Sequence, residues 1–162
     1  MTESWERLAP PLSPPPTAVN SSLDPAGCDL RLILRRAGLR PTDKRLELGA
    51  LVLCGPHRHF SAEQVWREAA ERGCPVSLAT VYNTLNGFVS AGLLRQVDLP
   101  TAAGLFDSNT EPHHHLLAED TGAIYDLPPG SIQARLDPAS LPPGLSVQGI
   151  DIVVRVRGRS PA

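Results

Sequence analysis

The chain holds only three cysteines, Cys28, Cys54 and Cys74, and no two form a Cys-x-x-Cys pair. An odd number at wide spacing offers neither a disulfide framework nor the four thiolates of a structural zinc site. No apolar run is long enough to cross a bilayer, and the N-terminus lacks the charged-then-apolar pattern of a signal segment. A cytoplasmic protein with no membrane partner is therefore expected. Charge of one sign is also lacking. The net value of −2 does not advertise nucleic-acid binding, although a local basic patch is enough for it. There is no internal repeat, no His-Glu-x-x-His helix and no evident general base beside the histidines. Metallohydrolase chemistry is thus disfavoured, and the chain does not read as an enzyme.

What is present is the composition of an ordinary globular protein of 162 residues, 41% hydrophobic and 20% charged. Residues 1–26 are rich in proline, serine and small residues and read as a disordered arm. From Asp29 the pattern turns helical. Leu30, Ile33 and Leu34 form one stripe, closed by Gly38. Thr42 can cap a second helix carrying Leu46, Leu48, Leu51 and Val52, with Gly55-Pro56 at its end. Ser61 and Gln64 form a capping box for a third helix, with Val65, Trp66 and Ala69 inward and Gly73 after it. Ser77 caps a fourth, in which Leu78, Val81, Leu85, Phe88 and Val89 face the core, and Gly92 ends it. Cys54 stands among apolar neighbours and reads as core.

Two short strands follow, "LLRQVDL" and "GLFDSN", joined by "PTAA". This is the element order of a winged helix-turn-helix, assigned to residues 27–107. Residues 108–158 alternate strand, turn and strand ("HHHLLA", "EDTG", "AIYDL"). A proline-broken stretch comes next, with room for a short helix near 131–136. The last strand, "GIDIVVRVRG", has Ile150, Ile152, Val154 and Val156 on its half-buried face. Residues 159–162 are a tail. The expected fold is α+β: a winged-helix DNA-binding domain and a small α/β domain.

Six basic residues between Asp29 and Arg45 face two acids. A charge run on a helix is usually only a solvated face, but beside a helix-turn-helix such residues can hold backbone phosphates. Arg40, Lys44 and Arg45 are the candidates. On the fourth helix Ser77, Ala79, Thr80, Tyr82 and Asn83 are the candidate DNA-reading residues. Asn83 suits adenine, and Ala79 or Thr80 a thymine methyl.

The run "EPHHHLLAED" collects three of the five histidines. On a regular strand His113 and His115 share one face and His114 points to the other. Two jobs are therefore open. One is a nitrogen–oxygen metal site, and the other is haem ligation by His113 or His114 beside Leu116 and Leu117. Cys74-Pro75 is a further candidate thiolate ligand for haem.

The segment "PVSLATVYNTLNGFVSAGLLRQVDL", with "GLRPTDKR", "HFSAEQVW" and "FDSN…HHH", resembles the Fur family of bacterial metal-responsive repressors over residues 29–158. Within it, "AGLRPT", "VSLATVYNTLN", "AGLLRQV", the three histidines and "IDIVVRVR" are most similar to the Irr group, the iron response regulators. The resemblance implies a homodimer binding an operator in double-stranded DNA and governing iron and haem genes in response to haem. It places the regulatory metal site on His59, Asp107, His115 and Asp126. Fe(II), Mn(II) or Zn(II) would bind there, haem would use His113, His114, His115 or Cys74, and no structural zinc is expected.

Several positions depart from the family. Leu117 stands where a further histidine is usual, with Leu116 for the acid before it. Gln133 and Ile150 replace a later acid and histidine, and Asn83 stands for a common arginine. The wing turn "PTAAG" has no basic residue. Leu116 and Leu117 imply weaker metal binding than in an ordinary Fur site and tilt the reading towards haem, whereas Asn83 and the wing turn imply DNA contacts unlike those usual in the family. The family alternative is a sensor of metal alone or of peroxide, because Asp107 and Asp126 are both aspartates.

Overall fold

The computed structural model describes residues 28–99 and 102–158. The expected N-terminal arm and C-terminal tail lie outside them, as does the tip of the wing turn. The first unit holds four helices, three of them started by the residue expected to cap them. Asp29 Oδ1 accepts the Leu32 N–H at 3.0 Å and opens α1 (Leu30–Arg36), whose last turn carries Arg35 and Arg36 against the negative end of the helix dipole. Thr42 caps α2 (Asp43–Val52). The full capping box of Ser61 and Gln64 starts α3 (Ala62–Glu71). Ser77 caps α4 (Leu78–Ser90). Gly73 and Gly92, at φ near +73° and +72°, turn the chain out of α3 and α4 in a conformation that side chains with a Cβ rarely adopt.

Leu34, Leu48, Val65, Val81, Leu85 and Phe88 meet in one core that Phe60, Leu94 and Phe106 close from the sheet side. Two residues of the expected inward stripes lie outside this cluster, and one of them, Ile33, is half-buried on α1. Trp66 is 41% exposed and lies outside this cluster, its indole N–H donating to the Val76 carbonyl at 2.9 Å. It is one residue along from Val65, about 100° around the helix, and so leaves the buried stripe.

Strands β2 (Arg95–Leu99) and β3 (Ala102–Asp107) form the expected hairpin. A third strand, β1 (His59–Ser61), pairs antiparallel with β3 and gives the order β1–β3–β2. Three residues cannot display a period of two, so this strand was illegible in the sequence. The fold is a winged helix followed by a second, smaller unit.

That second unit is a three-stranded sheet, β5–β4–β6. Strand β4 (His115–Ala118) pairs antiparallel with β5 (Ala123–Asp126) and parallel with β6 (Val153–Val156). No helix forms over 131–136. One 3₁₀ turn at Pro138–Ser140 stands nearby, and Leu136 is 44% exposed. A stretch this short between prolines makes too few helical hydrogen bonds to offset nucleation when no apolar face is buried. The final strand is also shorter than its pattern suggests, and Ile150 and Val156 remain largely exposed.

The cysteines overturn their sequence reading. Cys28, just before α1, and Cys54, just after α2, form a disulfide across 26 residues of chain, with Cα atoms 5.8 Å apart. Sequence separation hid the pair because α1 and α2 together return the chain to its start. Closing a loop of this length stabilises the fold by roughly 3 kcal/mol in the chain-entropy account. Reduction with dithiothreitol is therefore expected to lower the urea midpoint, with two additional alkylatable thiols by mass. An unchanged midpoint once both thiols are free would contradict this.

Candidate metal centre and nucleic-acid interface

The two sheets bring the candidate ligands together through strand register. His59 opens β1 directly opposite Asp107, the last residue of β3. His115 opens β4 directly opposite Asp126, the last residue of β5. Each sheet thus offers one histidine and one aspartate at one end, and the two ends abut. His113 joins them from the connecting loop. It lies two residues before His115, outside the regular strand, and its ring reaches the same cluster.

The ligating atoms of His59, Asp107, His113, His115 and Asp126 all lie within 4.8 Å of one another. His113 Nε2 is 3.0 Å from Asp107 Oδ2, 3.3 Å from Asp126 Oδ1 and 3.0 Å from His115 Nε2. His59 Nε2 is 3.1 Å from Asp126 Oδ1 and 3.7 Å from Asp107 Oδ2. Donors about 2.1 Å from a common ion stand roughly 3 to 4 Å apart, so the spacing fits a single cation. Two of the facing atoms, His59 Nε2 and Asp107 Oδ2, are buried without a hydrogen-bond partner. Buried polar atoms are rarely left so, and a cation would satisfy both.

His113 was expected among the haem candidates, apart from the metal site. Its Nδ1 bonds the Glu111 carbonyl at 2.7 Å, which aims Nε2 at the carboxylates. It therefore belongs to the cluster. Leu117, read as a lost ligand, is 1% exposed in the sheet core. The cluster already has its pair of histidines two residues apart, in His113 and His115. Leucine at 117 thus reports core packing and says nothing for haem.

Burial holds the His59 imidazole below its usual value, against the pull of Asp107 and Asp126. Asp107 is pushed up by burial first. Its interaction with His115, the Asn109 N–H at 2.7 Å and the nearby imidazoles outweigh this and leave it below the usual carboxylate range. The pH dependence follows. Unfolded His59 takes up a proton near pH 6.5, whereas folded His59 resists protonation down to a lower pH. Its contribution is complete above about 6.5 and is lost as pH falls below that value. The metal-free protein should therefore melt at progressively lower temperature between about pH 7 and 5, and His59→Asn should flatten that slope. Equal slopes for the two proteins would contradict it.

On the helical side, Ser77, Ala79 and Asn83 are exposed along α4, and Thr80 is half-buried. Tyr82 is directed elsewhere, its hydroxyl donating to Glu63 Oε1 at 2.6 Å. Arg40 and Lys44 are exposed, and Arg45 bonds the Arg40 carbonyl at 3.0 Å, tying the entry of α2 to its own first turn. Cys74 is buried, and its thiol donates to Glu47 Oε2 at 2.6 Å, with Lys44 Nζ 3.7 Å away. Burial and that bond push the thiol up, which disfavours the thiolate that haem ligation needs. His114 is not among the clustered donors and lines an adjoining cavity together with His113.

A winged helix joined to a second sheet through a histidine–carboxylate cluster is the architecture of a regulator whose DNA-binding part is tied to a metal site. The model of the Ferric uptake regulator family matches residues 36–154. The ferric uptake regulation protein of Haemophilus influenzae is 35% identical over 104 residues, 64% of this chain and 71% of that one. The peroxide-responsive repressor PerR of Staphylococcus epidermidis is 31% identical over 93 residues, 57% of this chain and 61% of its own. The ferric uptake regulator of Pseudomonas aeruginosa, solved with manganese, superposes with a TM-score of 0.66 at 28% identity. That superposition spans 82% of this chain and all of the other. The chain belongs to the ferric uptake regulator family. It is a transcription regulator and not an enzyme.

Proposed function

We propose that this chain is a DNA-binding regulator in which the five-donor cluster holds one Fe(II) or Mn(II) ion at the junction of the two units. The carrying observation is the origin of the donors. His59 and Asp107 come from the first sheet and His115 and Asp126 from the second, so one shared cation bridges the units. Its positive charge would offset the two carboxylates. Three imidazoles and two carboxylates exceed the four donors typical of zinc and favour a five- or six-coordinate metal. Asp107 marks the boundary between the units, with the DNA-binding part before it and the sensing part from Ser108 onward.

DNA contact falls to Arg40, Lys44 and Arg45 for phosphates and to Ser77, Ala79, Thr80 and Asn83 for base edges. Tyr82 acts indirectly, steadying α4 against Glu63. A second copy of the chain would cover Leu145, Val147, Ile150 and Val156, which are exposed on the second unit. In the test, duplexes are selected from a randomised pool with Mn(II)-loaded protein. Their affinity is then measured with Mn(II) and after chelation. Binding at least tenfold tighter with Mn(II) is expected, and equal affinity would overturn the proposal.

A haem-responsive role of the Irr kind has one supporting observation. His114, Leu127, Ile132 and Ile150 line a cavity of about 440 Å³ next to the cluster, with Arg95 at its side. Hemin titration of the wild type and His114→Ala tests it. A saturable Soret band lost in the variant supports haem at His114, and no band in either discards it. The PerR likeness and the two aspartates support a peroxide-sensing variant of the metal reading. Iron plus peroxide should then add one oxygen to His59 or His115, detectable by peptide mass, and unmodified histidines would count against it.

A further inference from the structure

Both aspartates of the cluster face it with one oxygen only, Asp107 through Oδ2 and Asp126 through Oδ1. Their other oxygens are taken by a single residue, Asn109. Its backbone N–H donates to Asp107 Oδ1 at 2.7 Å, and its side-chain amide donates through Nδ2 to Asp126 Oδ2 at 3.0 Å. Its Oδ1 accepts the Glu111 N–H at 3.2 Å, and the Glu111 carbonyl in turn bonds His113 Nδ1 at 2.7 Å. These partners also settle which way the amide points, because only Nδ2 can donate to a carboxylate and only Oδ1 can accept from an N–H.

Three of the five donors, Asp107, Asp126 and His113, are thus oriented through Asn109. Asp107 ends a strand of the winged helix and Asp126 ends a strand of the second unit. The residue therefore bonds one aspartate of each unit, Asp107 through its backbone and Asp126 through its side chain. Groups bonded to the outer atoms of ligands orient them and tune the metal they accept.

We propose that Asn109 is the positioning residue of the metal centre. It holds each aspartate to one inward-facing oxygen and sets the apposition of the two sheets before the cation arrives. The proposal rests on the metal reading above. Free to rotate, Asp126 could present both oxygens or turn to solvent, since it is about one-third exposed. Its side-chain entropy would then be lost on metal binding instead of on folding.

The experiment is a double-mutant cycle on Mn(II) affinity, measured by calorimetry on the full chain: wild type, Asn109→Ala, Asp126→Ala and the double variant. Asn109→Ala keeps the backbone bond to Asp107 and removes the bonds to Asp126 and Glu111. Mn(II) affinity should fall by roughly ten- to a hundredfold. In the Asp126→Ala background the same substitution should matter much less, because its main partner is gone. A ratio of the two fold-changes above about three supports positioning through Asp126, and a smaller ratio overturns it. Melting of the metal-free variants separates this from a folding defect. A general loosening of the loop would lower affinity equally in both backgrounds. Failure of the wild type to bind Mn(II) would instead bring down the metal reading itself, and this proposal with it.

Discussion

His113→Ala is expected to weaken Mn(II) binding by a hundredfold or more and to remove the metal dependence of DNA binding. Loss of a residue that merely supports a ligand typically costs ten- to a hundredfold, and His113 is itself proposed as a ligand. Its Nε2 lies 3.0 Å from Asp107 Oδ2 and from His115 Nε2, at the centre of the cluster. His114→Ala serves as the internal comparison, since His114 is not among the clustered donors, and should leave Mn(II) affinity within a fewfold of the wild type. If His114→Ala rather than His113→Ala abolished binding, the assignment of the three histidines would be reversed. Calorimetric Mn(II) titration of both variants decides it.

Phe88→Ala is expected to be the most damaging change in the helical part, at about 3 to 5 kcal/mol. Phe88 is fully buried on α4, the helix proposed to read DNA, and it belongs to the cluster that holds α4 to α2, α3 and β3. Truncation leaves a cavity where the surrounding aliphatic side chains can collapse only in part. Against a total stability of about 5 to 15 kcal/mol, such a loss leaves a substantial unfolded fraction. Urea denaturation should show a much lower midpoint with a similar slope. A loss under 1 kcal/mol would mean that α4 is held elsewhere.

Local chemistry was legible wherever a few consecutive residues decide the outcome. Thr42, Ser61 with Gln64, and Ser77 cap the helices the sequence assigns to them, the glycines after α1, α3 and α4 stand at the expected ends, and Asp29 is a further cap. Each cap acts within three residues of itself. The wing hairpin and the α+β class followed from the order of such elements. Legibility ended where contacts depend on distant chain: the three-residue β1, the missing helix over 131–136, the outward turn of Trp66 and the pairing of Cys28 with Cys54.

The metal cluster shows both sides of this division. Strand alternation predicts His113 and His115 on one face and His114 on the other, and His113 does reach the cluster although β4 begins only at His115. The likeness to the Fur family supplied His59, Asp107, His115 and Asp126 as expectations. Only the tertiary structure could show that His113 stands among these residues and that Asn109 bonds both aspartates. Register between strands and apposition between sheets determine those distances, and neither is encoded within any short window of sequence. The residue types and local directions belong to the sequence by itself. The meeting of five donors at one point belongs to the fold, since only packing brings residues 59 and 126 within 3.1 Å.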